Sequence, residues 1–284
     1  MPTNKQRREA AQRRLQRQLQ RREDQARKRR RNLLIVLTVL AVVVVAGGIS
    51  LAAGLGGGDD STTASADPTS SAAPSSAAAA AATATNADGT VACSYVADTS
   101  GNTNLKDVGT PTNAASTPTT GTDTLKMATS QGDLTLTLDR KSAPCAAASF
   151  TYLAQQKFFD GSPCHREVNQ DAFGVLQCGD PTGTGSGGPT YKFGQEVSAD
   201  TKYPRGTIAM ANSGSPDSTG SQFFLCFTDT QLSPDYTAVG TVDEAGLAVL
   251  DKIAAAGNDG SFEPSPGGGA PKTPVTITTM AVQQ

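Results

Sequence analysis

The sequence predicts a mainly β protein, in which a closed β-barrel capped by two α-helices follows a basic leader and a membrane-spanning helix. Short apolar runs, several with the alternation of half-buried strands, recur from residue 124 to residue 284. Two stretches in the same region have helical spacing of apolar residues instead. Many short strands with only two helices are typical of a capped barrel.

The N-terminal leader, residues 1–32, is strongly basic. Its first 31 residues hold 13 of the 24 Lys and Arg and three acids, a formal charge of +10, while the remainder has 11 bases and 23 acids, −12. An Arg-rich helix can bind nucleic acid, but no aromatic residues are interleaved here for base stacking. We therefore expect a solvated basic helix near anionic lipid headgroups and no nucleic-acid partner.

Residues 33–53 form an uncharged apolar segment of 21 residues. This length matches a hydrocarbon core of roughly 30 Å, so the segment is predicted to be one transmembrane helix that anchors the chain in a lipid membrane. A cleaved signal peptide is the alternative, because "ISLAAGLGGG" could hold a cleavage site, although signal peptides usually have apolar regions of about 7–15 residues. Basic flanks stay cytoplasmic, which predicts a single-pass cell-membrane protein whose C-terminal domain is extracytoplasmic.

Residues 54–123 are rich in Ala, Ser, Thr, Gly and Pro and poor in large apolar side chains. Such a composition cannot bury enough surface to offset the entropy of ordering, so we expect a disordered linker, interrupted by a small island around Cys93. Residues 124–284 remain as one globular domain.

The domain begins with a clear hairpin signal. "DLTLTLD" alternates leucine with threonine, and the preceding "TLKMATS" predicts a partner strand with the turn at residues 131–133. "SAPCAAASFTYLAQQ" predicts a helix with Ser142 as its N-cap, and "EAGLAVLDKIAAAG" predicts a second helix ending at Gly257.

The motifs "PCHRE", "VLQCGDPTGTGSGG", "RGTIAMANSG", "TGSQFFLCF" and "LSPDYTAVGTV" follow one another from residue 163 to residue 242, within a region of resemblance that covers about residues 124–284. In order and spacing they resemble the cyclophilin-type peptidyl-prolyl isomerases, and most of all the membrane-anchored cyclophilins of actinobacteria. The resemblance implies an eight-stranded antiparallel barrel closed by two helices, a monomeric domain, and isomerase activity on X-Pro bonds of extracytoplasmic proteins that assists their folding.

The implied reaction is compatible with this residue set. Peptide-bond rotation meets a barrier of about 18–20 kcal/mol, and X-Pro bonds exchange over tens of seconds, so only speed is lacking. A preorganised donor that binds the twisted bond supplies that speed without a nucleophile, metal or cofactor.

By the resemblance, Arg166 is the catalytic donor, and Gln177 and Gln222 hold the substrate backbone beside it. The implied substrate-binding residues line an apolar slot for the proline ring and the adjoining groove: Phe173, Met210, Ala211, Asn212, Phe224, Leu232 and Tyr236. Phe224 is expected in the slot, whereas its strand neighbour Phe223 faces the core.

Several positions depart from the family pattern. The slot aromatic usually stands three residues before Gln177, where this chain has Gly174, so Phe173 would reach the slot only through a bulge. Gln231 replaces a tryptophan found in many members, which predicts weak binding of cyclosporin-like peptides. Tyr236 replaces a slot histidine.

The five cysteines contain no C-x-x-C pair and the chain has one histidine, so no metal site is expected. The resemblance implies that Cys164 pairs with Cys178 on neighbouring strands and that Cys93 then pairs with Cys145, which leaves Cys226 as a buried free thiol.

Two motifs have a second interpretation. His165 could serve as a general base, but no G-x-S-x-G nucleophile motif is present, and a structural role is favoured. The glycine-rich run of residues 183–188 is not followed by a helix, so a groove loop is favoured over a phosphate loop.

Two further functions stay open at this point. A cyclophilin-like module could bind Pro-containing segments at the membrane surface without catalysis, or the basic leader could be the working part of a scaffold. The combination of Arg166, Gln177, Met210, Gln222 and Phe224 favours the isomerase, whereas the displaced slot aromatic at Gly174 is the main argument for the binding module.

Overall fold

The computed structural model of the protein describes residues 85–215 and 217–283. The predicted leader, the apolar segment 33–53 and the linker as far as residue 84 lie outside the described residues. No helix within the described ranges has both the length and the apolar character needed to cross a bilayer.

The described residues form fourteen strands, two α-helices and one short 3-10 turn. The helices are α1 (Pro144–Gln155) and α2 (Glu244–Ala256). The strands, in chain order, are β1 (Thr90–Val91), β2 (Val96–Ala97), β3 (Leu105–Lys106), β4 (Thr117–Pro118), β5 (Thr122–Thr129), β6 (Gly132–Asp139), β7 (Arg166–Gln170), β8 (Phe173–Cys178), β9 (Gly188–Pro189), β10 (Tyr191–Lys192), β11 (Thr207–Met210), β12 (Phe223–Cys226), β13 (Ala238–Val242) and β14 (Ile277–Val282).

Eight of these strands form the main sheet, in the order β14-β5-β6-β13-β11-β12-β8-β7. Every neighbouring pair in it is antiparallel. Helix α1 packs against β14, and α2 packs against β6. The mainly β architecture with eight antiparallel strands and two helices is therefore confirmed.

The predicted closure of the barrel is wrong, because the sheet is a curled half-barrel with β7 and β14 as its two edges. The segment before β7 and the start of β14 are joined by an isolated bridge between Pro163 and Thr276 and by three backbone hydrogen bonds of 2.7–2.8 Å, but the two edge strands do not pair with each other. The physical reason is that the loop between α2 and β14 occupies the outer edge of β7. Within that loop, Gly269 exchanges two backbone hydrogen bonds with Glu167, of 2.8 and 3.0 Å.

The hairpin of β5 and β6 forms as the alternation predicts, with Leu134, Leu136 and Leu138 fully buried on one face. Its turn lies one residue earlier than expected, because Thr129 already pairs with Gly132. Gly132 has a φ of 139°, and a Cβ there would lie 2.8 Å from the side chain of Val249 on α2. The glycine therefore allows α2 to approach the hairpin closely.

Helix α1 is capped differently from the prediction. Ser142 does not cap it, because its hydroxyl donates to the Asp139 carboxylate at 2.8 Å, and the helix begins at Pro144. The carboxylate of Glu196 instead accepts from the backbone N–H groups of Cys145 and Ala146, at 3.0 and 2.8 Å. An acidic side chain from a distant loop thus supplies both the acceptor and the negative charge that a helix N-terminus favours.

Helix α2 ends as predicted. Gly257 follows its last residue with a φ of 72°, the left-handed conformation that glycine adopts without strain. At the other end the Asp243 carboxylate accepts from the N–H of Gly246 at 2.9 Å and is the N-cap.

Apolar side chains collect on the two faces of the main sheet. Strand β12 shows the division: Phe223 and Leu225 belong to the large core under the helices, while Phe224 and Cys226 belong to a smaller cluster on the opposite face. The smaller cluster consists of the buried residues Val168, Val175, Tyr203, Ala209, Phe224 and Cys226.

Residues 85–121 pack on the domain through short strands and one aromatic anchor. Strand β3 pairs with β9 and strand β2 with β10. Tyr95 inserts between Tyr191 and Phe193, with ring centroids 5.4 and 5.5 Å apart, and its hydroxyl donates to the carbonyl of Cys145 at 2.8 Å.

Both predicted cysteine pairs are confirmed as disulfides. Cys93 bonds to Cys145 with an S–S distance of 2.08 Å, and Cys164 bonds to Cys178 with one of 1.97 Å. Cys226 is a buried free thiol. Burial raises the pKa of Cys226 to about 12, so this thiol is protonated at neutral pH.

The disulfide between Cys93 and Cys145 is expected to stabilise the fold, because it closes a loop of 52 residues in the unfolded chain. Replacing both cysteines by alanine should lower the free energy of unfolding by about 3–4 kcal/mol in urea denaturation. Cys226→Ala removes a thiol without opening a loop and is the control. Equal losses in the two variants would contradict the expectation.

Candidate functional site

A cavity of about 380 Å³ opens on the sheet face that carries the smaller apolar cluster. We call it the Arg166 cavity. Its lining residues are His165, Arg166, Phe173, Val175, Gln177, Thr184, Gly185, Ala211, Asn212, Phe224, Leu232, Tyr236, Phe262 and Pro266.

The polar side of the cavity is built on the hairpin of β7 and β8. Arg166 and Gln177 are directly opposed in the register of these strands, so their side chains leave the same face. A terminal nitrogen of Arg166, Nη1, donates to Oε1 of Gln177 at 3.1 Å. The amide of Gln177 in turn donates to Oε1 of Gln222 on the segment before β12, at 3.0 Å.

Gln222 continues this network into the glycine-rich loop. Its Nε2 donates to the carbonyl oxygens of Gly185 and Gly187, both at 3.0 Å. The three polar residues predicted for catalysis therefore form one hydrogen-bonded row. Gln222 itself lines the adjoining cleft and not the Arg166 cavity.

Two backbone carbonyls hold the other edge of the Arg166 guanidinium. Nε donates to the carbonyl oxygen of Gly267 at 3.0 Å, and Nη2 donates to that of Pro266 at 2.7 Å. Burial lowers the pKa of Arg166 from its ordinary value, while Tyr236 and Glu263 act in the opposite direction. A guanidinium with an ordinary pKa above 12 still carries its charge at neutral pH.

The apolar wall of the cavity contains the predicted residues Phe224, Leu232 and Tyr236. Phe224 meets the Tyr236 ring edge to face, with centroids 5.4 Å apart. Behind them, the Tyr203 hydroxyl donates to the carbonyl of Tyr236 at 2.8 Å and accepts from its N–H at 3.0 Å. These contacts give the wall a defined shape, with little rotational freedom for the rings.

Phe173 lines the cavity without the expected bulge. In β8 the odd-numbered residues Phe173, Val175 and Gln177 share the cavity face, so regular alternation brings Phe173 there. Gly174 faces the other side, where a Cβ would lie 2.7 Å from the Phe227 ring. The glycine thus permits a close contact in the core.

Met210 does not line the cavity. It is 1% exposed and packs in the large core, because its strand partner Phe223 faces that side. The preceding residue, Ala209, pairs with Phe224 and belongs to the smaller cluster. The resemblance had given Met210 a slot position, and Val175 is the aliphatic residue of the cavity that it missed.

Ala211 and Asn212 lie at the rim, where the cavity meets a second cleft. The Asn212 side chain is occupied by its own loop: Nδ2 donates to the carbonyl of Asp235 at 2.7 Å, and Oδ1 accepts from the N–H of Gly214 at 2.9 Å. The contact of its main chain with a bound peptide, which the resemblance implies, stays a prediction.

The glycine-rich loop is organised by the buried carboxylate of Asp180. The N–H groups of Thr182 and Gly185 both donate to it at 2.7 Å. Burial acts to raise the pKa of Asp180, but the hydrogen bonds from Gly187, Thr182 and Gly185 outweigh burial and hold it below its ordinary value. An internal anion thus takes the N–H donors that a phosphate would need, in agreement with a groove loop.

His165 lies beside this loop, and its Nδ1 is buried without a hydrogen-bond partner among the described residues. Burial lowers the pKa of His165 below its ordinary value. The negative charge of Asp180 acts to raise this pKa, and the positive charge of Arg166 acts to lower it further. Its neighbour Cys164 is committed to a disulfide and offers no thiolate. Over residues 85–215 and 217–283, no group of His, Cys, Asp or Glu could hold a metal ion.

Comparison with known proteins agrees with this architecture. Residues 124–282 match the family described as cyclophilin type peptidyl-prolyl cis-trans isomerase/CLD. A "Probable peptidyl-prolyl cis-trans isomerase B" of Mycobacterium tuberculosis is 45% identical over 168 residues, which cover 55% of this chain and 53% of that protein. A "Peptidyl-prolyl cis-trans isomerase" of Helicobacter pylori is 44% identical over 128 residues, 44% of this chain and 76% of that protein.

A solved structure is also similar. It is a cyclophilin type peptidyl-prolyl cis-trans isomerase of Cryptosporidium parvum in the presence of the dipeptide Ala-Pro, with 27% identity and a TM-score of 0.50 over 57% of this chain and 99% of that one. The chain belongs to the cyclophilin-type peptidyl-prolyl cis-trans isomerase family. It spans about half the length of the mycobacterial relative.

Glu167, next to Arg166, is a buried carboxyl group that the sequence reasoning did not consider. It is 0% exposed, and neither side-chain oxygen has a hydrogen-bond partner among the described residues. Its strand partner is Leu176 of the large core. Burial raises the pKa of Glu167 from 4.5 to about 7, and the charge of Lys272 opposes this only in part.

Stability should therefore fall over the pH range in which Glu167 is ionised in the unfolded chain but still protonated in the folded protein. Because the pKa is higher in the folded state, this stability is full below pH 4.5 and is lost as the pH rises to about 7. Glu167→Gln should remove this loss, which is about 3 kcal/mol, as measured by urea unfolding at pH 4.5 and pH 8. The exposed Glu244→Gln is the control, and parallel pH profiles for wild type and Glu167→Gln would contradict the assignment.

Proposed function

We propose that the protein is a peptidyl-prolyl cis-trans isomerase that acts on X-Pro bonds of extracytoplasmic proteins and assists their folding. The observation that carries this proposal is the placement of a fixed guanidinium, Arg166, at the polar side of a cavity whose other walls are apolar and aromatic. Its relatives are named as peptidyl-prolyl cis-trans isomerases, which supports the same activity.

The reaction needs a site that binds the twisted amide better than either planar form. As the C–N bond rotates, the nitrogen loses its conjugation with the carbonyl and its lone pair can accept a hydrogen bond. A guanidinium has five N–H donors, and three of them are engaged by Gln177, Pro266 and Gly267. One N–H on each terminal nitrogen has no partner within the described ranges, so Arg166 can donate to a twisted prolyl bond.

The apolar side of the cavity suits a prolyl ring. Phe173, Phe224, Leu232 and Tyr236 offer aliphatic and aromatic surface, and no carboxylate lies among the lining residues. Burying the ring there fixes the bond beside the guanidinium and uses binding energy to orient the substrate. That the related Cryptosporidium structure was obtained with Ala-Pro supports Pro-containing peptides as the substrate class.

Arg166→Ala should lower kcat/KM by about 100-fold or more, the scale of deleting one electrostatic stabiliser. Arg166→Lys should lose most activity as well, because an ammonium keeps the charge but not the planar fork. The assay is protease-coupled isomerisation of an Ala-Pro peptide.

The control is Arg205→Ala, which removes an arginine paired with Asp251 outside the Arg166 cavity. If the wild type were no faster than Arg166→Ala while both still bound the peptide, the protein would be a binding module without catalysis.

We also propose a location for this activity. The basic leader of residues 1–32 and the uncharged segment 33–53 support a single-pass anchor with the domain outside the cytoplasm. The two disulfides support an oxidising compartment.

A reporter that works only outside the cytoplasm, fused after residue 60 of the full leader and apolar segment, tests this topology. We expect activity from that fusion and none from a fusion that ends at residue 32. The reverse result would overturn the proposed location and leave the isomerase proposal standing.

A further inference from the structure

The segment between α2 and β14 lies against Arg166, although no catalytic or binding residue was predicted in it. We call residues 258–270 the Pro266 loop. Phe262 and Pro266 of this loop line the Arg166 cavity, so the loop is one of its walls. We propose that the Pro266 loop is a positioning element of the active site, which holds the Arg166 guanidinium through the carbonyl oxygens of Pro266 and Gly267.

The loop is held in one conformation by its own side chains. Oδ1 of Asp259 accepts from the N–H groups of Ser261 and Ala270, both at 2.9 Å, and closes the base of the loop. Oε1 of Glu263 accepts from the N–H of Gly268 at 2.7 Å and from the amide of Gln170 on β7 at 3.1 Å. The second carboxylate therefore ties the loop tip to the strand that carries Arg166.

The backbone of the loop is also in close contact with β7. Gly269 and Glu167 exchange two hydrogen bonds, and Gly268 packs directly on the carbonyl group of Glu167. Gly268 has a φ of 74°, and a Cβ there would contact the carbonyl oxygen of Glu167 and lie 3.0 Å from the Val168 side chain. Only glycine allows the two carbonyls before it to reach the guanidinium.

The geometry fits positioning and not obstruction. The loop engages Nε–H and one N–H of Nη2, while Gln177 engages one N–H of Nη1, and the cavity of about 380 Å³ stays open beside them. An arginine on a flexible stem loses rotamer entropy when it is fixed. Three acceptors from two separate elements fix it before the substrate arrives, which is how a preorganised donor gains catalytic effect.

This inference rests on the proposed isomerase activity, and Gly268→Ala tests it. The variant should push the loop away from β7 and lower kcat about 10-fold, with a smaller change in KM because the apolar wall of Phe224, Leu232 and Tyr236 is not part of the loop. Gly260→Ala is the matched control: Gly260 lies in the same loop, has a φ of 66°, and nothing lies within 4 Å of its Cβ position. Both variants carry the same type of backbone strain, but only Gly268→Ala disturbs Arg166.

A second variant keeps the test valid if Gly268→Ala does not fold. Glu263→Ala should lower kcat by about 5-fold, and Glu263→Gln, which keeps an acceptor oxygen, should restore most of it. In the 15N spectrum, the Nε–H resonance of Arg166 should shift or broaden in Glu263→Ala and not in Glu263→Gln. A purely structural role for the loop would leave this resonance unchanged.

The double variant Arg166→Ala/Glu263→Ala separates this inference from the proposed function. If the loop acts through Arg166, it should be no slower than Arg166→Ala alone. Wild-type rates in Gly268→Ala and Glu263→Ala would overturn the inference, and so would faster rates, which an inhibitory loop predicts. A low isomerisation rate of Arg166→Ala would still support the isomerase in either case. An unaffected Arg166→Ala would instead overturn the proposed function itself.

Discussion

The fixed position of the Arg166 guanidinium is the constraint on which the rest of the site depends. A cation half-buried at a sheet edge is costly unless its donors find acceptors, and three such acceptors are built into the fold. One comes from the facing strand, as the Gln177 side chain, and two come from backbone carbonyls about 100 residues further along the chain. The strand and the loop must therefore both be in place before the arginine can be.

The surrounding structure supports both requirements. The disulfide between Cys164 and Cys178 closes the β7–β8 hairpin immediately beside the opposed pair of Arg166 and Gln177. The row from Gln177 through Gln222 to the glycine-rich loop extends the same network, and the Asp180 carboxylate fixes that loop from inside. Because the sheet does not close, β7 has a free edge, and the Pro266 loop forms backbone hydrogen bonds with that edge.

Much of this arrangement could be predicted where local pattern is decisive. Leucine alternation identified the β5–β6 hairpin, Gly257 marked the end of α2, and the motifs identified Arg166, Gln177 and Phe224. The predictions that differ from the structure are those that depend on distant contacts. Glu196, and not Ser142, accepts hydrogen bonds from the first N–H groups of α1, and it lies 51 residues beyond Cys145 in the sequence. The Pro266 loop pairs with the edge of β7 that would pair with β14 in a closed barrel.

Strand phase explains two further results. Met210 was assigned to the slot by motif, but its pairing with Phe223 directs it to the core, and Ala209 and Val175 face the cavity side instead. Phe173 reaches the cavity by simple alternation with Gln177, so Gly174 is not an interruption of the wall. Phe262 and Pro266 had no signal in the sequence, because a loop of small and polar residues does not indicate which side chain it will meet.

The most direct test of the central claim is to follow the Arg166 side-chain N–H resonances while an Ala-Pro peptide is titrated into the wild-type domain. We predict that the resonances of the terminal Nη groups of Arg166 shift on binding. The Nε–H group donates to the carbonyl of Gly267, so its resonance should stay at its position in the free protein. A guanidinium that shifts as a whole, or that does not respond to a peptide that is being isomerised, would contradict a prepositioned catalytic arginine.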